Sequence, residues 1–156
     1  MPSIQNLFVN LIQAMADDMI RAVDATPKDK AVWKPLETGR SIQEIALECA
    51  GVNLFMAKAI STYAAPVMDR EEFAKFTAEH DTLEKSVAAL KSSLSALSAA
   101  IICFPTEKLD DTILLPFPGG TTVAFAELIS KPYYHLSYHL GQINYIQTLY
   151  GDKAMH

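Results

Sequence analysis

The stretch from Tyr134 to Asp152, YHLSYHLGQINYIQTLYGD, decides how the chain is read. His135 and His139 stand four residues apart. On a helix that spacing stacks both imidazoles on one face, within reach of a single metal ion. At about 100° per residue they share that face with Leu128, Ile146 and Tyr150, so they point towards a core. Gly151 suits a C-cap after Tyr150. Reading backwards, the same helical segment begins near Val123. Pro132 inside it predicts a break or kink, because proline lacks the amide hydrogen and clashes with the preceding turn.

Three further segments carry helical periodicity. In the first, Ile4, Leu7, Phe8, Leu11, Ile12, Met15 and Met19 recur at steps of three and four, and the segment ends near Asp24. A connector punctuated by Trp33, Pro35 and Gly39 follows. The second starts at Ser41 and Glu44, an S-x-x-E capping box. Ile45, Cys49, Val52, Phe55, Met56, Ala59 and Ile60 then form one apolar stripe. The third runs from about Arg70 to Ile102, with Phe73, Phe76, Leu83, Val87, Leu90, Leu94, Leu97 and Ile101 as its buried side. Its length leaves room for a break. Between Phe104 and Thr122, the turn signal Pro116-Phe117-Pro118-Gly119-Gly120 predicts a small hairpin or a lid over one end. Helices of this length predict an all-α protein, an antiparallel four-helix bundle filling residues 1–156 as one domain.

Composition narrows the function. The net charge is −5, from 13 Lys+Arg against 18 Asp+Glu. The cations are scattered rather than striped, which argues against nucleic acid and against an anionic membrane surface. No continuous apolar run reaches the roughly 18 residues of a membrane span. The start MPSIQNLF lacks a signal-peptide pattern. Two cysteines, Cys49 and Cys103, form no CxxC pair and imply no disulfide framework. The expectation is a cytoplasmic protein.

Helical phase supplies the third member of a site. Glu48 falls between Val52 and Phe55 on the helical wheel, inside the apolar stripe, where an unpaired carboxylate is costly. Two imidazoles and one carboxylate facing inward form a ligand set that holds zinc in some hydrolases and iron(II) in some oxygenases. The alternative is a pair of histidines satisfied by core hydrogen bonds. A ferritin-like di-iron centre is set aside, because it needs E-x-x-H pairs on two helices. Gln142, beside the histidine face, is a candidate to orient one imidazole, as metal-bound histidines require. Cys49 reads as a small core hydrophobe. Tyr138 and Tyr145 read as packing or interface residues. Close approach by another backbone would explain Gly141, which otherwise costs helix stability.

Two blocks resemble the DinB-like superfamily of small four-helix proteins. One is Trp33-Lys34-Pro35 followed by Arg40-Ser41-Ile42-Gln43-Glu44-Ile45-Ala46-Leu47-Glu48. The other is His135-Leu136-Ser137-Tyr138-His139-Leu140-Gly141-Gln142-Ile143, ending in Leu149-Tyr150-Gly151-Asp152. The resemblance implies an up-down-down-up helix order, frequent homodimers, and a metal bound by one histidine of the second helix and the two of HxxxH. His135 and His139 match that pair. The helix-two position falls on Glu48, a departure that keeps a ligand for zinc, nickel or iron and lowers the site's charge by one. Some relatives are thiol-dependent transferases or isomerases, so the resemblance implies a divalent metal activating water or a small thiol or carbonyl substrate. A non-catalytic, dimeric ligand-binding bundle with a vestigial site is the alternative. The family name refers to DNA-damage induction and implies no DNA binding.

Overall fold

The computed structural model describes residues 3–67, 69–116, 119–154 and 156. In chain order it contains α1 (Ile4–Asp24), α2 (Ile42–Thr62), α3 (Arg70–Glu79), α4 (Leu83–Ile102), β1 (Thr112–Leu115), β2 (Thr121–Ala124) and α5 (Phe125–Leu149). Side chains set where several of these helices begin. Ser3 caps α1, Asp69 caps α3 and Thr82 caps α4. At α2 the capping box forms in full. The Glu44 N–H donates to Ser41 Oγ at 3.2 Å, and the Ser41 N–H donates to Glu44 Oε2 at 2.9 Å. Two backbone donors left over by helix geometry are thereby satisfied.

Four helices make the bundle. α1 packs on α4 and α5, and α2 packs on the same two, so α1 and α2 lie diagonally opposed. Contacts at the ends give the directions. Tyr63, just past the end of α2, meets Phe104 and Phe125, while Phe104, just past the end of α4, stacks on Phe125 at the start of α5. Gln5 of α1 donates to the Phe104 carbonyl at the same end. α1 and α5 therefore start where α2 and α4 finish, and the order is up-down-down-up. The core between them is aliphatic, with Met19, Ile45, Ile60, Leu90, Leu97 and Leu128 almost wholly buried.

Because α2 and α4 run the same way, the chain must cross the length of the bundle between them. α3 lies in that crossover. The single long helix expected from Arg70 to Ile102 is thus two helices. His80 leaves helical geometry (φ −113°, ψ 51°), and the Thr82 hydroxyl accepts the Lys85 N–H to start α4. Phe73 and Phe76, expected in the core, are respectively 57% exposed and half-buried. The physical reason is topological, since a crossover segment cannot share the register of the bundle helix that follows it.

Pro132, expected to break or kink α5, does not break it; it sits buried within a 25-residue helix. Proline removes one backbone hydrogen bond. Leu128, Ile129 and Leu136 are buried on both sides of the defect, and the helix as a whole packs on α1 and α2.

The hairpin expected before the last helix is present, with Thr112 opposite Ala124 and Leu115 opposite Thr121. Ile113, Leu115 and Val123 turn inward. Phe117 and Pro118, part of the expected lid, lie outside the described residues. α2 and α4 are long and apolar enough, by length and composition, to cross a membrane, although no single run of residues suggests it. Both bury their apolar faces against each other in the bundle.

Candidate metal centre

The centre is built from the first turns of α2, the middle of α5 and the connector ahead of α2. The connector turns tightly. The Gly39 N–H donates to the Pro35 carbonyl at 2.9 Å, and a Cβ at Gly39 would stand 2.8 Å from that same oxygen. Only glycine fits so close an approach. Leu36 and Glu37 adopt left-handed backbone (φ 54° and 60°), a conformation that costs non-glycine residues energy and persists where the surroundings enforce it. This turn delivers Arg40 to the rim of a cleft of about 710 Å³, lined among others by Pro35, Glu48, His135, His139 and Gln142.

Glu48 is not enclosed. Its side chain is 30% exposed and faces the cleft, and one oxygen, Oε2, pairs with the Arg40 guanidinium. The other, Oε1, lies 3.8 Å from His139 Nε2. The cation that a carboxylate on the apolar stripe required is therefore Arg40, and the two oxygens face different neighbours.

On α5, His139 is 2% exposed. Its Nδ1 donates to Gln142 Oε1 at 2.7 Å, and the Gln142 amide donates to the Tyr138 hydroxyl at 3.1 Å. A proton on Nδ1 leaves a lone pair on Nε2, which lies 3.1 Å from His135 Nε2. Two imidazole nitrogens on a tetrahedral zinc, each about 2.0–2.1 Å from it, stand about 3.3 Å apart. The observed separation is close to that value. Among the described residues the Nδ1 of His135 is buried without a hydrogen-bond partner, an orphaned polar atom of the kind that marks functional sites.

Two further residues belong to this group. Cys49, read as a core hydrophobe, is fully buried and brings its sulfur within 4.8 Å of the ligand nitrogens of His135 and His139. It neighbours Glu48, and a single 100° step places it on the inner side of the same site. Arg40 stands immediately ahead of the capping serine; only the turn at Gly39 shows where it goes. Gly141, by contrast, meets no atom from outside its own helix backbone within 4 Å of where a Cβ would sit, so among the described residues the close approach expected there is not made.

Burial sets the protonation. It pushes the His135 imidazole down to about 4, helped by His139 and Arg40. His139 is also lowered by burial, with the Gln142 hydrogen bond acting the other way. Burial pushes the Cys49 thiol up to about 12. Near neutral pH both imidazoles are therefore uncharged, the form that binds metal, while the sulfur keeps its proton. A stability prediction follows by linkage. Between the ordinary histidine value of 6.5 and about 4, His135 takes up a proton when unfolded but not when folded. Stability is therefore full above pH 6.5 and declines as pH falls toward 4. Thermal melts of metal-free protein across that range should show the decline, and His135→Gln should flatten it. Equal slopes in the two proteins would contradict this assignment.

Comparison with known proteins places these observations. The structure superposes on YfiT from Bacillus subtilis, described as a probable metal-dependent hydrolase with an unusual four-helix bundle topology. The TM-score is 0.77 at 10% identity, over 94% of this chain and 87% of that one. It superposes on the DinB-like protein YjoA of Bacillus subtilis with a TM-score of 0.74 at 20% identity, over 97% and 96%. A mycothiol-dependent maleylpyruvate isomerase gives 0.70 at 13% identity; 92% of this chain is covered, but it spans only 63% of that protein. At these identities the likeness establishes the fold. A search of curated proteins finds no match. The sequence profile of the DinB superfamily matches residues 11–143, a span that takes in the α2 capping box, Glu48 and both histidines of α5, and the chain belongs to that superfamily.

Proposed function

We propose that the chain is a metal-dependent enzyme of the DinB type, with one divalent transition metal (zinc, nickel or iron) held by Glu48, His135 and His139. The observation that carries this reading is the pair of imidazole Nε2 atoms 3.1 Å apart in an open cleft, with a Glu48 oxygen 3.8 Å from that of His139; Glu48 itself lies outside the group of Cys49, His135 and His139, whose ligand atoms are all within 4.8 Å of one another. Bound there, the metal supplies Lewis-acid activation of water or of a small thiol or carbonyl group. The remaining work falls to the chain. Gln142 fixes the His139 tautomer, so that Nε2 faces the cleft. Arg40 holds the outer oxygen of Glu48 and leaves the inner one free. Three protein ligands keep coordination positions open to the cleft, as catalytic sites require; a fourth from Cys49 would close the tetrahedron. The hydrolase and isomerase descriptions of two fold neighbours support an enzymatic role.

Cobalt(II) titration tests the ligand set. Wild-type protein is expected to bind one equivalent without a thiolate-to-cobalt charge-transfer band. Glu48→Gln should weaken binding by at least about 10-fold, since loss of a ligand costs no less than loss of an outer-shell partner. Cys49→Ser should retain stoichiometric binding. A charge-transfer band that Cys49→Ser abolishes moves the third ligand to Cys49. Wild-type protein that takes up no metal overturns the proposal. The second reading, a dimeric ligand-binding bundle, draws on Tyr134, Tyr138 and Tyr145, which stand 55–70% exposed along one side of α5. It requires self-association that survives loss of the metal.

A further inference from the structure

A second cavity, of about 740 Å³, opens between α2 and α3. Its walls include Leu47, Val52, Phe55 and Met56 of α2 and Phe73 and Phe76 of α3. Thr38, Gly39, Arg40 and Glu48 line this cavity and the metal cleft alike, so the two meet at the Arg40–Glu48 pair. α3 contributes no buried residue of its own. It nonetheless hangs two phenylalanines over the trough. One edge of Phe73 comes to 3.7 Å from the position a Cβ would take at Gly51. Well-formed apolar hollows with a few convergent polar groups are the usual form of small-molecule sites.

Charge around the rim is uneven, and it orients a ligand. Asp69 and Glu72 stand at the α3 end, where Asp69 is occupied in capping the helix. The cations Lys34 and Arg40 stand at the connector end, each beside a carboxylate, Glu44 and Glu48 respectively. Lys34 is a point charge already held by Glu44. Arg40 is different, because a guanidinium carries five N–H donors in a planar fork. Glu48 meets it through Nη1, one of its three nitrogens, and the Arg40 side chain is 56% exposed. Donors are left over at the junction of the two cavities, matched in geometry to a second carboxylate.

We propose that this cavity binds a small amphipathic carboxylate, with its head group on the free donors of Arg40 and an unbranched apolar tail between Val52, Phe55, Phe73 and Phe76. The metal is not needed for binding, since the head rests on Arg40. The inference therefore stands apart from the metal-dependent reading.

Calorimetric titration of chelator-treated protein with acetate, butanoate, hexanoate, octanoate and the uncharged octanol tests it. Affinity should rise by about two- to fourfold per added methylene, the scale of apolar burial. Arg40→Gln should weaken octanoate by at least about 10-fold and leave octanol unchanged. Val52→Trp, which fills the trough from a half-buried position, should abolish the dependence on chain length. If that variant does not fold, Phe73→Ser on the exposed side of α3 must weaken octanoate and octanol together. Affinity that does not grow with chain length overturns the proposal. So does octanoate binding indifferent to Arg40→Gln, or binding seen only after metal is added back.

Discussion

Phe125→Ala lowers the stability of the protein by about 3–5 kcal/mol, the range for aromatic truncation in a packed core. Phe125 is 2% exposed. It stacks on Phe104 with ring centroids 4.8 Å apart and meets Tyr63 edge-on at 5.8 Å. Those rings come from the ends of α4 and α2, so one side chain ties three of the four bundle helices together. It is also the residue where the hairpin passes into α5, and its N–H donates to the Asp111 carbonyl at 2.9 Å. The neighbours are anchored by helix ends and cannot collapse far into the space left behind. That places the cost toward the upper part of the range. For a domain of this size each kcal/mol shifts the melting temperature by about 2–4 °C. A circular-dichroism melt should therefore fall by on the order of 10 °C. A fall of less than about 3 °C would mean that the aromatic end of the bundle does not act as a joint.

His139→Ala has its large effect on metal rather than on the apo-protein. The imidazole is buried with both nitrogens engaged, one by Gln142 and one by His135. Removing it loses packing but also releases a desolvated polar group and relieves the close pairing of two rings. The apo-protein should consequently melt within a few degrees of wild type. Metal binding behaves differently. A ligand at 100 times its dissociation constant stabilises a folded protein by about 2.7 kcal/mol, which corresponds here to roughly 5–10 °C. Wild-type protein with zinc or nickel should show that shift in differential scanning fluorimetry, and His139→Ala should show none. An undiminished shift in the variant would place the metal elsewhere.

Much of the fold is legible locally. The periods of α1 and α2, the S-x-x-E start of α2 and the Pro-Gly turn of the hairpin are signals that act within a few residues, and each leads to the element observed. The misreadings have a common origin in tertiary placement. The residues from Arg70 to Ile102 are good helix formers throughout. Nothing local marks His80–Thr82 as a break, apart from a threonine suited to capping. The break exists because α3 belongs to a crossover and α4 to the bundle. At Pro132 the helix is not broken: the local rule is correct, and the packed flanks carry the helix past the missing hydrogen bond. At the candidate centre, helical phase brings Glu48 toward the histidine pair. Its guanidinium partner arrives through a turn that only Gly39 permits. Cys49 looks apolar because a buried thiol behaves so, and no local pattern separates that role from a ligand's.

The diagonal placement of α1 and α2 also bears on how the chain reaches its native state. α1 finds its packing partners late in the sequence, as the hydrogen bond from the Gln147 side chain to the Ala22 carbonyl, 125 positions apart, makes plain. Up-and-down bundles close between sequence neighbours and fold with low contact order; this arrangement raises the contact order of an all-helical protein and should slow its folding accordingly. During synthesis from the N-terminus, the inner face of α1 stays only partly covered, by α4, until α5 has emerged. Over that interval the nascent chain is most exposed to association with other chains.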